Sequence, residues 1–186
     1  RWQIFLAALC VTAYILAPTG RYTYDDINLI KKNDALESWS NLPKLFTRDF
    51  GPSFRDLHYR PIAPFSFFID AKIFGKNPAA SRIINLLLHL AIGLLLFRLW
   101  KRLFRDELLA FVASAFFLVH PITTEVVLAP GFRKDLLSTL AVVGVLLLLR
   151  RALLHRSKAM AALAILVWLV GMLAKEPAFL CVFLAP

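Results

Sequence analysis

Apolar runs separated by charged clusters organise this chain. The first extends from Trp2 to Pro18 without a charge. The second is Ile83 to Trp100, and the third starts near Leu108 and passes His120 toward Val127. The fourth is Leu136 to Leu149, the fifth Ala159 to Ala174, and a sixth begins at Ala178. A helix needs about 20 apolar residues to cross a bilayer, and fewer where flanking Lys and Arg reach the headgroups. Each run is therefore predicted to be a spanning helix. The pattern predicts an all-α integral membrane protein, a multi-span helical bundle.

Between the first two runs, Thr19 to Arg82 breaks the pattern. Leu29, Ile30, Leu36, Trp39, Leu42, Leu45 and Phe46 recur at roughly helical spacing, which predicts short amphipathic helices resting on the membrane face. The stretch carries Trp39, Phe46, Phe50, Phe54 and Tyr59 and is neither Gly/Ser-rich nor repetitive, so it is expected to be ordered. Pro61 to Phe74 is apolar but interrupted by Asp70 and Lys72. It is too short and too charged to span, and an interfacial or re-entrant helix opening with proline suits it.

Composition excludes a soluble domain. The chain has 186 residues, 59% of them hydrophobic and 18% charged, and a mean hydropathy of +0.67. A water-soluble domain of this size has too much surface to hide that apolar content. The net charge of +10 does not mark a nucleic-acid binder, because the basic residues fall in short clusters between apolar runs instead of one stripe. Arg98, Lys101, Arg102 and Arg105 join the second and third runs; Arg150, Arg151, Arg156 and Lys158 join the fourth and fifth. Lys/Arg enrichment predicts that both clusters are cytoplasmic. Thr19 to Arg82, the corner His120 to Asp135 and the corner Lys175-Glu176-Pro177 then lie on the extracytoplasmic side. Cys10 and Cys181 sit inside apolar runs and read as small buried hydrophobes. The chain opens without Met inside one apolar run and stops inside another, so it is expected to be a piece of a longer protein. With no polar n-region before it, the first run is expected not to be a cleaved signal peptide.

The candidate chemistry collects on that extracytoplasmic side. Five clusters meet there: Asp25-Asp26; His58-Tyr59-Arg60-Pro61; His120-Pro121 with Thr124 and Glu125; Arg133-Lys134-Asp135; and Lys175-Glu176. Carboxylates beside cations at one face of a bundle suit reactions of phosphorylated substrates, since a carboxylate accepts a proton and a cation neutralises developing phosphate charge. Each cluster also has a plainer use. Asp25 or Asp26 suits a helix cap, Arg60 an ion pair or a headgroup, and His120-Pro121 a kink ending the third span. Arg133 and Lys134 suit interfacial anchoring, and Lys175-Glu176 a solvated turn. Asn85 and His89, four residues apart in the second run, are expected to hydrogen-bond between helices and not to bind a ligand. Zinc-type Cys/His spacing, a Walker loop and a Gly-x-Gly-x-x-Gly motif are all missing from the sequence, which removes the best-marked metal and nucleotide chemistries.

The ordered set Tyr24-Asp25-Asp26, Asn33-Asp34, Arg48-Asp49-Phe50-Gly51, Tyr59-Arg60-Pro61, Asn85 with His89, His120-Pro121 with Thr124-Glu125, Arg133 with Asp135-Leu136-Leu137, and Lys175-Glu176 resembles the membrane region of the tetratricopeptide-repeat transmembrane O-mannosyltransferases and their prokaryotic relatives. Those belong to the GT-C superfamily of polyprenyl-phosphate-sugar transferases. The chain departs from the compact Gly-Arg-x-Asp of that pattern at Gly131-Phe132-Arg133-Lys134-Asp135, and Pro177 follows Lys175-Glu176.

The resemblance implies a GT-C bundle of which residues 1–186 form the N-terminal part. It also implies an inverting sugar transfer from a polyprenyl-phosphate-linked donor to a hydroxyl of a protein or glycan acceptor outside the cytoplasm. It assigns Asp25 as general base with Asp26 supporting it, and Arg60, Arg133 and Lys175 to the phosphate. His120 and Glu125 would position sugar or phosphate, with Asp135 and Glu176 completing the binding set. No cofactor is expected, although a divalent ion bridging acids and phosphate stays compatible with the pattern. A bacterial or archaeal plasma membrane is expected over the endoplasmic reticulum. A competing expectation is a non-catalytic lipid-linked-sugar transporter or flippase, which requires buried charges at mid-span and discontinuous helices in both halves.

Overall fold

A computed structural model describes residues 1–47 and 59–181. His58, Phe50, Phe54, the Arg48-Asp49-Phe50-Gly51 motif and the apolar run beyond Cys181 lie outside the described residues. Among the described residues every regular element is a helix or helical turn.

The helices are α1 (Trp2–Ala13), α2 (Ile62–Phe74), α3 (Pro78–Phe104), α4 (Glu107–Val119), α5 (Thr124–Leu128), α6 (Arg133–His155) and α7 (Lys158–Ala174). Among the described residues three segments are long and apolar enough to cross a membrane: Trp2–Thr19, Pro78–Phe104 and Pro130–His155. The pair Glu107–Val119 and Pro121–Leu128, bent by 49°, makes a fourth if counted as one span. Helix α7 is apolar but shorter, with 17 residues.

Local chemistry sets the ends of these helices. Asn77 opens α3 by accepting from the Ala79 N–H at 2.9 Å, with Pro78 in the first turn, where its missing N–H costs nothing. Asp106 caps α4 through the N–H groups of Leu108 and Leu109, and Ser157 caps α7 through Met160. Arg105 and Arg156 close α3 and α6 in left-handed conformations, with φ of 55° and 47°. The α4 to α5 bend falls at His120-Pro121, because proline disfavours helical geometry in the residue before it.

One apolar core joins α1, α3 and α4 through Leu6, Cys10, Phe97, Ala110 and Leu118. A second covers α2 with the long loop: Tyr22, Ile30, Leu36 and Leu45 pack with Ala63, Phe67 and Phe68. The loop reaches this arrangement through a π-helical turn at Ile27–Lys31 and 3₁₀ turns at Asp34–Leu36 and Trp39–Phe46. Asn33 and Ser38 restart the backbone as caps, and Pro43 sits inside the last turn. Such frequent interruption leaves no length for a regular amphipathic α-helix. Helices α6 and α7 pack along their length, with Gly171 meeting Ala141.

Candidate active site

At one end of the bundle, hydrogen bonds and ion pairs link Asp26 to Gly131, Lys175 to Asp135 and Arg60 to Glu176. Asp26 is 1% exposed. Its Oδ1 accepts from the Gly131 N–H at 2.7 Å and its Oδ2 from the Thr23 N–H at 3.5 Å, which fastens the corner after α1 to the corner before α6. Burial pushes its carboxyl above the usual aspartate range, against the opposing pull of those two N–H groups and of Arg82. Asp25, next to it, is exposed. Tyr24, just before the pair, is 92% exposed with φ of 47°. A left-handed conformation costs a non-glycine residue roughly 1–2 kcal/mol, so the acid pair follows a strained corner.

Two ion pairs continue the network. Lys175, after α7, pairs with Asp135 in the first turn of α6, and the Ser138 hydroxyl donates to the Lys175 carbonyl at 3.4 Å. Arg60 grips Glu176 in bidentate fashion, Nε to Oε1 at 3.0 Å and Nη2 to Oε2 at 2.7 Å. His120 is half-buried; its Nδ1 accepts from the Ile122 N–H at 3.2 Å and its ring packs edge-on to Phe116. Glu125 is exposed on α5.

Arg133 departs from the sequence expectation of a phosphate-binding cation. It is 0% exposed. Its Nε donates to Asn85 Oδ1 at 2.8 Å, Nη1 to Asp70 Oδ2 at 2.5 Å and to Ser66 Oγ at 3.3 Å, and Nη2 to the Ser81 carbonyl at 3.0 Å. The guanidinium lies 4.8 Å from the Phe67 ring centroid. With four N–H groups spent on α2 and α3, Arg133 holds these helices to α6 and has no open face for a phosphate. Asn85 also donates to the Val126 carbonyl at 3.1 Å, and His89 bonds the Leu118 carbonyl at 3.1 Å. Both therefore bond between helices, as expected.

Arg82, treated in the sequence only as the end of a loop, proves central. It is buried, donates from Nε to the Leu128 carbonyl at 2.7 Å and from Nη2 to the Arg21 carbonyl, and fills the space where a Gly20 side chain would begin. Asp70 likewise appeared only as an interruption of an apolar run. An acid inside such a run is a usable signal, because a buried carboxylate requires a partner. Among the described residues, two buried side-chain polar atoms have no hydrogen-bond partner, Arg82 Nη1 and Asp135 Oδ2. Both belong to this end of the bundle, near the starts of α3 and α6. Among the described residues no three His, Cys, Asp or Glu side chains are grouped as metal ligands.

The model of the dolichyl-phosphate-mannose-protein mannosyltransferase family matches residues 60–185. The chain belongs to this family. It is similar to "Protein O-mannosyl-transferase F38B6.6" of Caenorhabditis elegans, 29% identical over 153 residues, which are 78% of this chain and 22% of that protein. It is also similar to "Protein O-mannosyl-transferase TMTC2" of Mus musculus, 31% identical over 138 residues, 72% of this chain and 16% of that one. "Protein O-mannosyl-transferase Tmtc1" of Drosophila melanogaster is 28% identical over 183 residues, 96% of this chain and 21% of its own length. The chain thus spans about a fifth of the length of these curated relatives. No solved structure matches it.

Proposed function

We propose that this chain forms the donor-side part of a membrane glycosyltransferase. The enzyme moves mannose or a similar sugar from a polyprenyl-phosphate-linked donor to an acceptor hydroxyl on the extracytoplasmic side, with inversion. In a prokaryotic cell that side is the outer face of the plasma membrane. The observation that carries this reading is an exposed Asp25 beside an anchored Asp26, at the bundle end where Lys175 and Arg60 also emerge. Family membership and the relatives' printed activity support it.

Asp25 accepts the proton of the acceptor hydroxyl. The oxygen bonds to the anomeric carbon, the bond from that carbon to phosphate breaks, and the lipid phosphate leaves with the electron pair. Asp26, fixed by Gly131 and Thr23, orients Asp25 and the acceptor. Lys175 and Arg60 neutralise the phosphate, exchanging Asp135 and Glu176 for it in a site bordering lipid, where such charges are weakly screened. His120 and Glu125 border the sugar. The acceptor is a protein or a glycan. Arg133 is withdrawn from substrate contact and keeps the helices in register. A transporter is disfavoured because Arg82 and Arg133 sit within the first two turns of α3 and α6 and not at mid-span.

Sugar transfer and donor binding measured on the full-length protein test this. A placed general base contributes about 10²–10⁴-fold, so Asp25→Asn should slow transfer by that order and leave donor binding unchanged. Lys175→Ala should weaken donor binding as well as rate, because it removes a charge-assisted contact to phosphate. Near-normal turnover in Asp25→Asn makes Asp25 a surface acid and removes the assignment.

A further inference from the structure

We propose that the groove between α3, α6 and α7 holds an anionic phospholipid of the cytoplasmic leaflet, its phosphate on Arg98, Arg102 and Arg151 and an acyl chain along the apolar floor. The groove is a cavity of about 620 Å³, within the roughly 300–1,000 Å³ of sites that take small ligands. Leu140, Gly144, Leu148 and Val167 line its length, and among the described residues its charged lining is the three arginines at one end. From Leu137 to Arg151 it follows α6 for about 21 Å at 1.5 Å per residue. One leaflet of hydrocarbon is about 15 Å deep, half of the bilayer core. A lipid tail entering from the arginine end can therefore lie along the groove over its whole depth.

Charge complementarity selects the headgroup. Arg98, Arg150 and Arg151 lie close enough to Arg102 to repel it. The acids nearest in sequence are committed elsewhere: Asp106 caps α4, and Glu107 pairs with Lys101 at 2.7 Å. Among the described residues no carboxylate pairs with Arg98, Arg102, Arg150 or Arg151. Several guanidiniums held together without a counter-charge, at the mouth of an apolar groove between membrane helices, form a receptor for a phosphate-bearing headgroup. The proposal rests on the cytoplasmic placement of the basic turns and is independent of the transfer chemistry at the opposite end.

The test is native mass spectrometry of the full-length protein released from nanodiscs of phosphatidylcholine with equal minor shares of phosphatidylglycerol and polyprenyl phosphate. Wild type should retain phosphatidylglycerol preferentially, and R98Q/R102Q/R151Q should lose that preference by at least about tenfold. The control K101Q/R105Q, outside the groove, should lower it several-fold less than the groove triple does. G144L tests the tail. A Cβ at Gly144 meets nothing closer than Val167 at 3.7 Å, so leucine enters the groove floor and should lower retention with every arginine present. Melting temperature is followed throughout, and R102Q alone carries the test if the triple variant does not fold. Unchanged retention in the groove variants, an equal loss in the control, or preferential retention of polyprenyl phosphate over phosphatidylglycerol overturns the proposal.

Discussion

Replacing Arg133 by methionine separates a scaffold role from a substrate role. The side chain is fully buried and donates to Asn85, Asp70, Ser66 and Ser81. Methionine fills much of the volume and supplies no donor. Asp70, buried and already pushed above the usual aspartate range by desolvation that Arg133 opposes, is then left with the Ser81 hydroxyl at 3.5 Å. Breaking one side of a buried ion pair costs about 3–5 kcal/mol. At roughly 2–4 °C per kcal/mol for a unit of this size, the melting temperature of the detergent-solubilised protein should fall by about 6–20 °C. Asp70→Leu in the same background removes the orphaned charge and should recover most of the loss, since an apolar replacement of a whole buried pair is often neutral or better. Donor affinity, measured below the melting transition, should stay near that of wild type. An unchanged melting temperature with donor affinity weakened about tenfold or more, as expected for loss of a phosphate contact, would return Arg133 to the substrate and refute the scaffold assignment.

Further outcomes follow from single contacts. Asp26 has its folded pKa raised above the ordinary 3.8 by burial, so its stabilising share is present below that value and is lost as pH rises through the raised one. Asp26→Asn should therefore melt at or above the wild-type temperature at neutral pH, with the difference closing near pH 4 in a melting series. A Cβ at Gly171 would stand 2.5 Å from the Ala141 Cβ; Gly171→Ala should cost about 1–3 kcal/mol by overpacking, and Ala141→Gly should restore it in the double variant. Cysteines placed at Arg105 or Arg156 should escape an impermeant thiol reagent added to intact cells, and one at Ser40 should react. Cys10 and Cys181 are buried and leave a silent background.

The helices were legible because lipid imposes a coarse demand. A spanning segment must be apolar for most of its length and must satisfy its own backbone, and Trp2 to Pro18, Ile83 to Trp100 and Leu136 to Leu149 state that directly. The ends were less legible. The helix expected from Ile83 begins at Pro78 and continues to Phe104, because a cap such as Asn77 and a left-handed residue such as Arg105 decide the boundary, and apolarity does not. The long loop misled in another way. Of the positions at helical spacing from Leu29 to Phe46, Ile30, Leu36 and Leu45 are buried while Trp39 and Phe46 stay exposed; 3₁₀ and π turns bury some of the same positions as an α-helix, so spacing alone could not separate them.

The site was legible as a set of places more than as a set of roles. Linear order names every corner that meets at this end, yet which cation faces a substrate and which is buried depends on partners far apart in sequence. Arg133 meets Asp70 and Asn85, and nothing near Arg133 in the chain announces either. Gly131 carries the same lesson. Its position departs from the compact family spacing, but its N–H holds Asp26, and a Cβ there would come within 3.0 Å of Asp26 Oδ1. A side chain at 131 would push on the Asp26 carboxylate, so the small residue is needed by an acid over a hundred positions away. Contacts of that range join the corner after α1 to the start of α6, and no local pattern in the chain could have shown them.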